Sequence, residues 1–541
     1  MRLPTLMQRQ SKKNDGNAIA VLDADYADGA QRWTPLGRRP VLFGSVGLIL
    51  VTVALSYRGL GDWCSFSPDG ITYLTIARTL AENGHLPQER LVPPPAYPVI
   101  IAPLLLLGDL PLLGLRILFL VCWMMTAVMT YLLHRRELGD GLGWVAGLLV
   151  ASNPVLLMLT TTPLSESVFI AALSANLVLM HTWWQRPVCR RSEVVLGGLL
   201  TTITLMIRSM GIVMLPLMGY CLLRHRKQAL GQRAQWAALF ALCTLGPILA
   251  WNLRQSAYPA GHNYASIWVT ARGIENTEAT GWALQFQRFI TFGPMRLQSI
   301  KEAVLQKDVA WRLFRSPLDT PSTWVVGGFF VVIALGRFLR FRTPTDAFVL
   351  ATLLMLSLWP WDEGVRLVAP LLPVLVAYPL WLGKAWWHQI RQPRRRFALA
   401  ATLVLILVCQ GAGITRVQSR LPVYRDKAMK RVAEMINMAE WHASNAPDGA
   451  KWIGVTPKGH NDSLLLMGSA YLSRRPLNNV NLKPQQDYEL TFSGEEDYAL
   501  VHKSVYDERG DQWTFLLPNR TVGRFVVLTN SYLTGMKPEE D

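Results

Sequence analysis

Long apolar runs recur along most of the chain, each separated from the next by a short polar segment. A bilayer offers no water to satisfy backbone N–H and C=O groups, so a chain crossing it repeatedly must do so as helices or as a closed barrel. Runs of this length belong to helices, since a helical span takes about 17–25 apolar residues and fewer where the site is recessed or the bilayer thins. The runs fall near 41–57, 111–133, 142–160, 166–184, 194–207, 210–223, 235–252, 323–339, 346–360, 366–383 and 397–414. The expected fold class is therefore an α-helical polytopic membrane protein with about eleven transmembrane helices.

The charge pattern gives this bundle a direction. The chain carries a formal net charge of +17, with Lys and Arg gathered in short loops between the runs. If the basic N-terminal tail, 1–40, is cytoplasmic, then HRRELGDG, QRPVCRRSE, RHRKQALGQR, GRFLRFRTPTD and GKAWWHQIRQPRRR all fall on the same side, as the positive-inside rule requires. No small-residue cleavage site follows the tail, so the first run reads as a retained anchor. The same clustering excludes nucleic acid as a partner, because no basic stripe interleaves with aromatics. Of the six Cys only Cys64 falls in an exposed loop, so a disulfide framework is not expected.

This orientation leaves the outer loops 58–110 and 253–322, the short TTPLSE segment and the tail 415–541 outside, with 41–414 forming the membrane domain. Within 253–322, Trp282, Phe286, Arg288, Phe289 and Phe292 suit helices lying at the interface. The tail reads as an amphipathic helix over 425–445 followed by strands at WIGV, YALV and RFVVLTN, a small α/β domain of roughly 125 residues. In 65–99, Ile71, Leu74, Ile76, Ala77 and Leu80 recur at helical spacing, and Asp69 stands at the start of that helix, where the dipole favours a carboxylate. The competing reading makes Asp69 simply the N-cap, with Ser67 and Pro68 in the turn.

The absent motifs narrow the chemistry. There is no Walker A sequence, no GxGxxG after a strand, no HExxH and no CxxC, so neither a nucleotide-driven pump nor a nucleotide-sugar enzyme is expected. The His residues are scattered and show no metal-ligand spacing.

SPDGITYLTIARTLAENG, then PPPAYPVIIAPLLLLG and GLRILFL, resembles the first outer loop of polytopic glycosyltransferases with the GT-C fold. The resemblance is to the bacterial relatives of protein O-mannosyltransferases and of the lipid A aminoarabinose transferase. NPVLLMLTTTPLSESVF, GGLLTTITLMIRSMGIVMLP, GPILAWNLRQSAYPAG and VRLVAPLLPVL extend it in order across about 60–380. It implies a bacterial inner-membrane enzyme with its active site and tail on the periplasmic side. That enzyme takes a sugar from a polyprenyl-phosphate carrier, by inverting displacement, to a glycan, a lipid-linked saccharide or a protein hydroxyl.

The family pattern places an Asp four residues before a Tyr, as Asp69 and Tyr73 stand here. The resemblance thus makes Asp69 the group that deprotonates or orients the acceptor. Many relatives carry Asp-Glu at this point, whereas Asp69 is followed by Gly70, so the second acidic residue is sought at Glu166 in TTPLSESVF, which opens a span on the same outer face. Arg366 and Arg208, at outer membrane boundaries, are assigned to the lipid phosphate with Arg254 as a third, because guanidinium is always charged and forks two donors. Tyr73, Asp362 and Glu363 are placed near the acceptor, and Arg116 is read as snorkelling. Some relatives use a divalent cation and others none; no metal site is assigned. The competing readings are a transporter or flippase of lipid-linked saccharides, which expects ionisable residues deep in the spans and repeat symmetry, and a non-catalytic membrane scaffold.

Overall fold

The computed structural model describes residues 38–56, 67–87, 93–107, 112–186, 188–224, 228–258, 280–305, 321–360, 364–389 and 414–415, together with five strands between 452 and 530. Asp362, Glu363, Cys64, the run at 397–413 and the helix expected over 425–445 lie outside them.

The described part is mostly helical. In chain order the helices are α1 (Arg38–Ser56), α2 (Pro68–Asn83), α3 (Ala96–Leu105), α4 (Leu112–Leu138), α5 (Asp140–Ala151), α6 (Pro154–Leu159), α7 (Glu166–Gln185), α8 (Arg191–Ile207), α9 (Met214–Leu223) and α10 (Leu230–Ser256). They continue with α11 (Gly281–Leu305), α12 (Pro321–Phe341), α13 (Pro344–Ser357), α14 (Val365–Val368), α15 (Leu372–Leu375) and α16 (Ala377–Gln389). By length and composition, α4, α7, α10, α12 and the α14–α16 segment can each cross a membrane, and five shorter apolar helices accompany them.

Local chemistry sets where these helices break. The run at 142–160 is two helices rather than one, because Pro154 cannot donate to the preceding turn and Asn153 caps a new start, accepting from the Val155 N–H at 2.9 Å. Pro370 and Pro373 likewise divide the α14–α16 segment, which is nevertheless the most enclosed of the membrane-crossing candidates. The outer loop 58–110 contains not only α2 but the apolar helix α3, whose Tyr97 and Ile101 are fully buried. Arg116 does not snorkel: it is buried near the start of α4.

Helices α7 and α8 pack closely at Gly197, where a Cβ would run into the Trp183 ring, and Gly198 does the same for α8 and α10, facing Cys243. Asn176 of α7 ties the same interface, donating to Thr204 Oγ1 at 2.7 Å and accepting from Thr201 at 3.1 Å. Such interhelical polar contacts fix register where lipid supplies no hydrophobic drive. At the end of the bundle flanked by the basic loops, Arg337 of α12 bonds Glu137 of α4 at 2.9 Å and Asp346 of α13 at 3.1 Å. Tyr378 donates to the same Asp346 at 2.9 Å, and Lys384 to the Glu137 carbonyl at 2.8 Å. All of Glu137, Arg337, Asp346 and Tyr378 are largely removed from water.

The strands β1 (Trp452–Pro457), β2 (Leu477–Leu482), β3 (Tyr498–His502), β4 (Leu516–Val522) and β5 (Phe525–Asn530) form one sheet in the order β2-β1-β3-β5-β4. β1 runs parallel to β2 and β3, while β5 runs antiparallel to β3 and β4. β1, β3 and β5 coincide with the WIGV, YALV and RFVVLTN segments.

Candidate active site

Four of the residues singled out in the sequence meet at one point, although the chain separates them widely. Asp69 occupies the first turn of α2. Ser67, not Asp69, is the N-cap: its backbone is extended and its Oγ accepts from the Gly70 N–H at 3.0 Å. Pro68 follows at the first helical position, where a missing N–H costs nothing. The cap being taken, the Asp69 carboxylate turns outward and is 53% exposed.

The α2 helix is held by its apolar face. Ile71, Tyr73, Leu74, Ile76 and Ala77 are buried, and α2 packs on α3. Tyr73 sets its ring edge-on to Tyr97 with centroids 4.8 Å apart, and its hydroxyl shares a 3.3 Å hydrogen bond with Ser165. Tyr73 therefore links the Asp69 helix to the loop that begins α7. Gly70 allows the loop to come closer still, since a Cβ there would stand 3.0 Å from both the ring and the carbonyl oxygen of Pro163.

Glu166 is the first residue of α7, at the positive end of a long helix, and is only 1% exposed. Its Oε1 accepts from Arg208 and also from Arg366. Arg208 stands in extended conformation at the junction between α8 and the 3₁₀ turn Ser209–Val213. Arg366 sits in the single turn of α14, just after Gly364, whose φ of +60° is a conformation that favours glycine. With its Nε on Glu166, Arg366 extends Nη2 to Asp69 Oδ2 at 2.7 Å. One guanidinium thus bridges an enclosed carboxylate and an exposed one.

The charges decide what this group can bind. Glu166 offers one negative charge against the two positive charges of Arg208 and Arg366, so the enclosed part is cationic until Asp69 is counted. With Asp69 counted the group is balanced, two carboxylates against two guanidiniums, and it opens to solvent at Asp69. Both carboxylates face guanidinium, and among the described residues no three His, Cys, Asp or Glu side chains converge. Arg254 is not part of the group as drawn by these contacts. It donates to the Pro87 carbonyl, beyond the opposite end of α2, and lies 5.2 Å and 5.0 Å from the Trp251 and Tyr258 rings.

Comparison with known proteins bears on the whole architecture. The dolichyl-phosphate-mannose-protein mannosyltransferase family matches residues 92–251. No curated protein matches the chain. Among solved structures, ArnT from Cupriavidus metallidurans in the apo state is 15% identical, with a TM-score of 0.57 over 91% of this chain and 99% of that one. ArnT from the same organism bound to undecaprenyl phosphate is 14% identical, with a TM-score of 0.52 over 90% of this chain and 97% of that one. The oligosaccharyltransferase AglB from Archaeoglobus fulgidus, in complex with an inhibitory peptide and a dolichol-phosphate, is 12% identical, with a TM-score of 0.51 over 87% of this chain and 70% of that one. The chain is thus similar to ArnT and AglB along most of its length and shares their fold, the GT-C fold.

Proposed function

We propose that the protein is a membrane glycosyltransferase that moves a sugar from a polyprenyl-phosphate carrier to an extracytoplasmic acceptor: a glycan, a lipid-linked saccharide or a protein hydroxyl. The observation that carries this reading is the Asp69–Arg366–Glu166–Arg208 chain, a water-facing carboxylate backed by two guanidiniums. Transfer from a phosphate-linked sugar needs a base at the acceptor and positive charge at the departing phosphate, and this arrangement supplies both within one side-chain network. The similarity to ArnT and AglB supports the same reading, since the structures of both contain a polyprenyl phosphate.

In this reading the acceptor hydroxyl attacks the anomeric carbon from the face opposite the phosphate. Its proton passes to an Asp69 oxygen, and the electrons of the breaking C–O bond leave with the phosphate, inverting the anomeric centre. A phosphate departs without being protonated, so a second acid is not required; this separates the site from glycosidases, which divide acid and base duties between two carboxylates. Arg366 and Arg208 meet the phosphate. Glu166, enclosed and committed to both guanidiniums, acts by holding them at the site. Arg254, on Pro87, supports the lipid side, and Asp362 and Glu363, shortly before Arg366 in the sequence, are assigned to the acceptor. The same reading takes about eleven spans, with the N-terminal tail cytoplasmic, the site and the sheet-bearing tail periplasmic, and the inner membrane of a bacterium as the location.

The test is transfer by the full-length protein in membranes supplied with a panel of radiolabelled polyprenyl-phosphate sugars. The reading expects label to reach an acceptor fraction from at least one donor, with the anomeric configuration inverted in the product. Failure of every donor, together with lipid-linked saccharide crossing the membrane, would favour the flippase.

A further inference from the structure

Two of the basic segments at one end of the bundle are bonded to each other. One joins α7 to α8 and the other joins α9 to α10, and α9 packs on α7. Gln228 of the second segment donates from its side-chain Nε2 to the carbonyl of Cys189 in the first, at 3.2 Å, and both residues are buried. Arg224, the residue after α9, lays its guanidinium over the Trp184 ring in the last turn of α7, 3.2 Å from the ring centre. Tyr220, one turn back on α9, stands 5.8 Å from the same ring. Arg233, in the first turn of α10, donates to the Leu223 carbonyl at 3.1 Å. Among the described residues, 184–193 and 220–233 hold Arg186, Arg190, Arg191, Arg224 and Arg233 against one acid, Glu193. That acid accepts from the Arg186 side chain and from the Arg190 N–H.

Arg190, Arg191 and Arg224 are exposed, and so are Val188, Tyr220, Leu223 and Leu230 on the same two segments and their flanking helix ends. Arginine interleaved with exposed leucine and tyrosine suits the boundary between headgroups and acyl chains, where guanidinium meets phosphate and apolar side chains leave water. The positive-inside rule asks only that each loop carry its own charges. It does not ask that two loops be bonded together, nor that an arginine be stacked in place on a ring. Joined in this way, the two loops match a ligand with an anionic head and apolar chains. We infer that this surface binds an anionic phospholipid of the surrounding leaflet. The phosphate lies among Arg190, Arg191 and Arg224, and the chains lie against Leu223 and Leu230. The surface is at the far end of α7 from Glu166, so the inference does not depend on the transfer reading.

The experiment measures lipid binding to the purified full-length protein in detergent by native mass spectrometry. The probe is dioleoyl phosphatidylglycerol, and the control lipid is dioleoyl phosphatidylcholine, which carries no net charge. Wild type is compared with Arg191→Gln/Arg224→Gln and with Gln228→Leu, which alters no charge but removes the bond between the loops. A third variant, Arg340→Gln/Arg342→Gln, removes the same charge from another basic segment. Arg191→Gln/Arg224→Gln should lower the preference for phosphatidylglycerol on the order of tenfold or more, and Gln228→Leu several-fold, while the Arg340/Arg342 variant stays near wild type. Arg190→Gln/Arg191→Gln, at two exposed positions on one loop, decides the matter if the first variant does not fold. Glycerol 3-phosphate, which has the phosphate without the chains, should not compete at equal concentration. An unchanged preference in the folded Arg191/Arg224 variant, an equal fall in the Arg340/Arg342 variant, or no effect of Gln228→Leu would overturn the inference. Competition by glycerol 3-phosphate would do so too, by making this a site for a free phosphate ester.

Discussion

Glu166 is the residue whose role depends most on its neighbours. A carboxylate at 1% exposure is unfavourable unless its charge is met, and here two guanidiniums share one of its oxygens. Glu166→Gln keeps the shape but leaves Arg208 and Arg366 facing a neutral amide. Because both arginines retain some contact with solvent, the expected loss is about 1–3 kcal/mol rather than the larger cost of a fully enclosed pair. Thermal unfolding in detergent should show it, and transfer should fall alongside. Asp69 was legible in the sequence because its signal is local: Ser-Pro-Asp-Gly reads as a helix start wherever it occurs. Which residue caps was not, since Ser and Asp are equally good caps until the backbone is seen. Nor was the meeting of Asp69, Glu166, Arg208 and Arg366, because ion pairs across 200 and 297 residues leave no trace in spacing. Glu166, Arg208 and Arg366 were each reached singly, from a place at the outer membrane boundary.

At the scale of elements, the close approach of α2 to the loop before α7 is set at Gly70, where any side chain would press on Pro163. In the proposed reading Glu166 brings the second carboxylate to the site from the other side of that contact. Gly70→Ala should push the start of α2 away from the loop. The expected cost is about 1–3 kcal/mol of overpacking, with transfer falling several-fold as Asp69 moves relative to Arg366; thermal unfolding and transfer rate on one preparation check both. Helix breaks were less legible than helices. The run at 142–160 reads as continuous by hydropathy, and only Asn153-Pro154 divides it. Helix α3 was hidden because ten apolar residues are too few to register as a span. On α11, Arg288 read as an interfacial arginine among Trp282, Phe286, Phe289 and Phe292; Trp282, Phe286 and Phe289 are exposed, but the structure turns Arg288 and Phe292 inward. In the tail, β2 and β4 carry Asn-Asn, Pro and Arg and lack the short apolar runs that marked β1, β3 and β5.

Across the whole molecule, ionisable groups gather at two ends of the bundle. α7 carries Glu166 at its start and His181 fifteen residues on, about 22 Å along the helix axis, where His181 lies 3.8 Å from Glu137. The Glu137–Arg337–Asp346 group belongs to the basic-loop end and ties α4, α12 and α13 there. The Asp69–Arg366 group belongs to the other end, beside the loops that carry few basic residues. That polarity was legible early, since loop charge is a property of composition and survives errors in span boundaries. The account makes one central claim about the far end, that Asp69 supplies the base. The direct test is single-turnover transfer from a preloaded polyprenyl-phosphate sugar, comparing wild type with Asp69→Asn at matched expression. Asn keeps the size and still accepts from Arg366 but has lost its charge and basicity. The account predicts a fall of about 10²–10⁴-fold in the transfer rate with donor binding and thermal unfolding nearly unchanged. Transfer at the wild-type rate by a folded Asp69→Asn protein would contradict it.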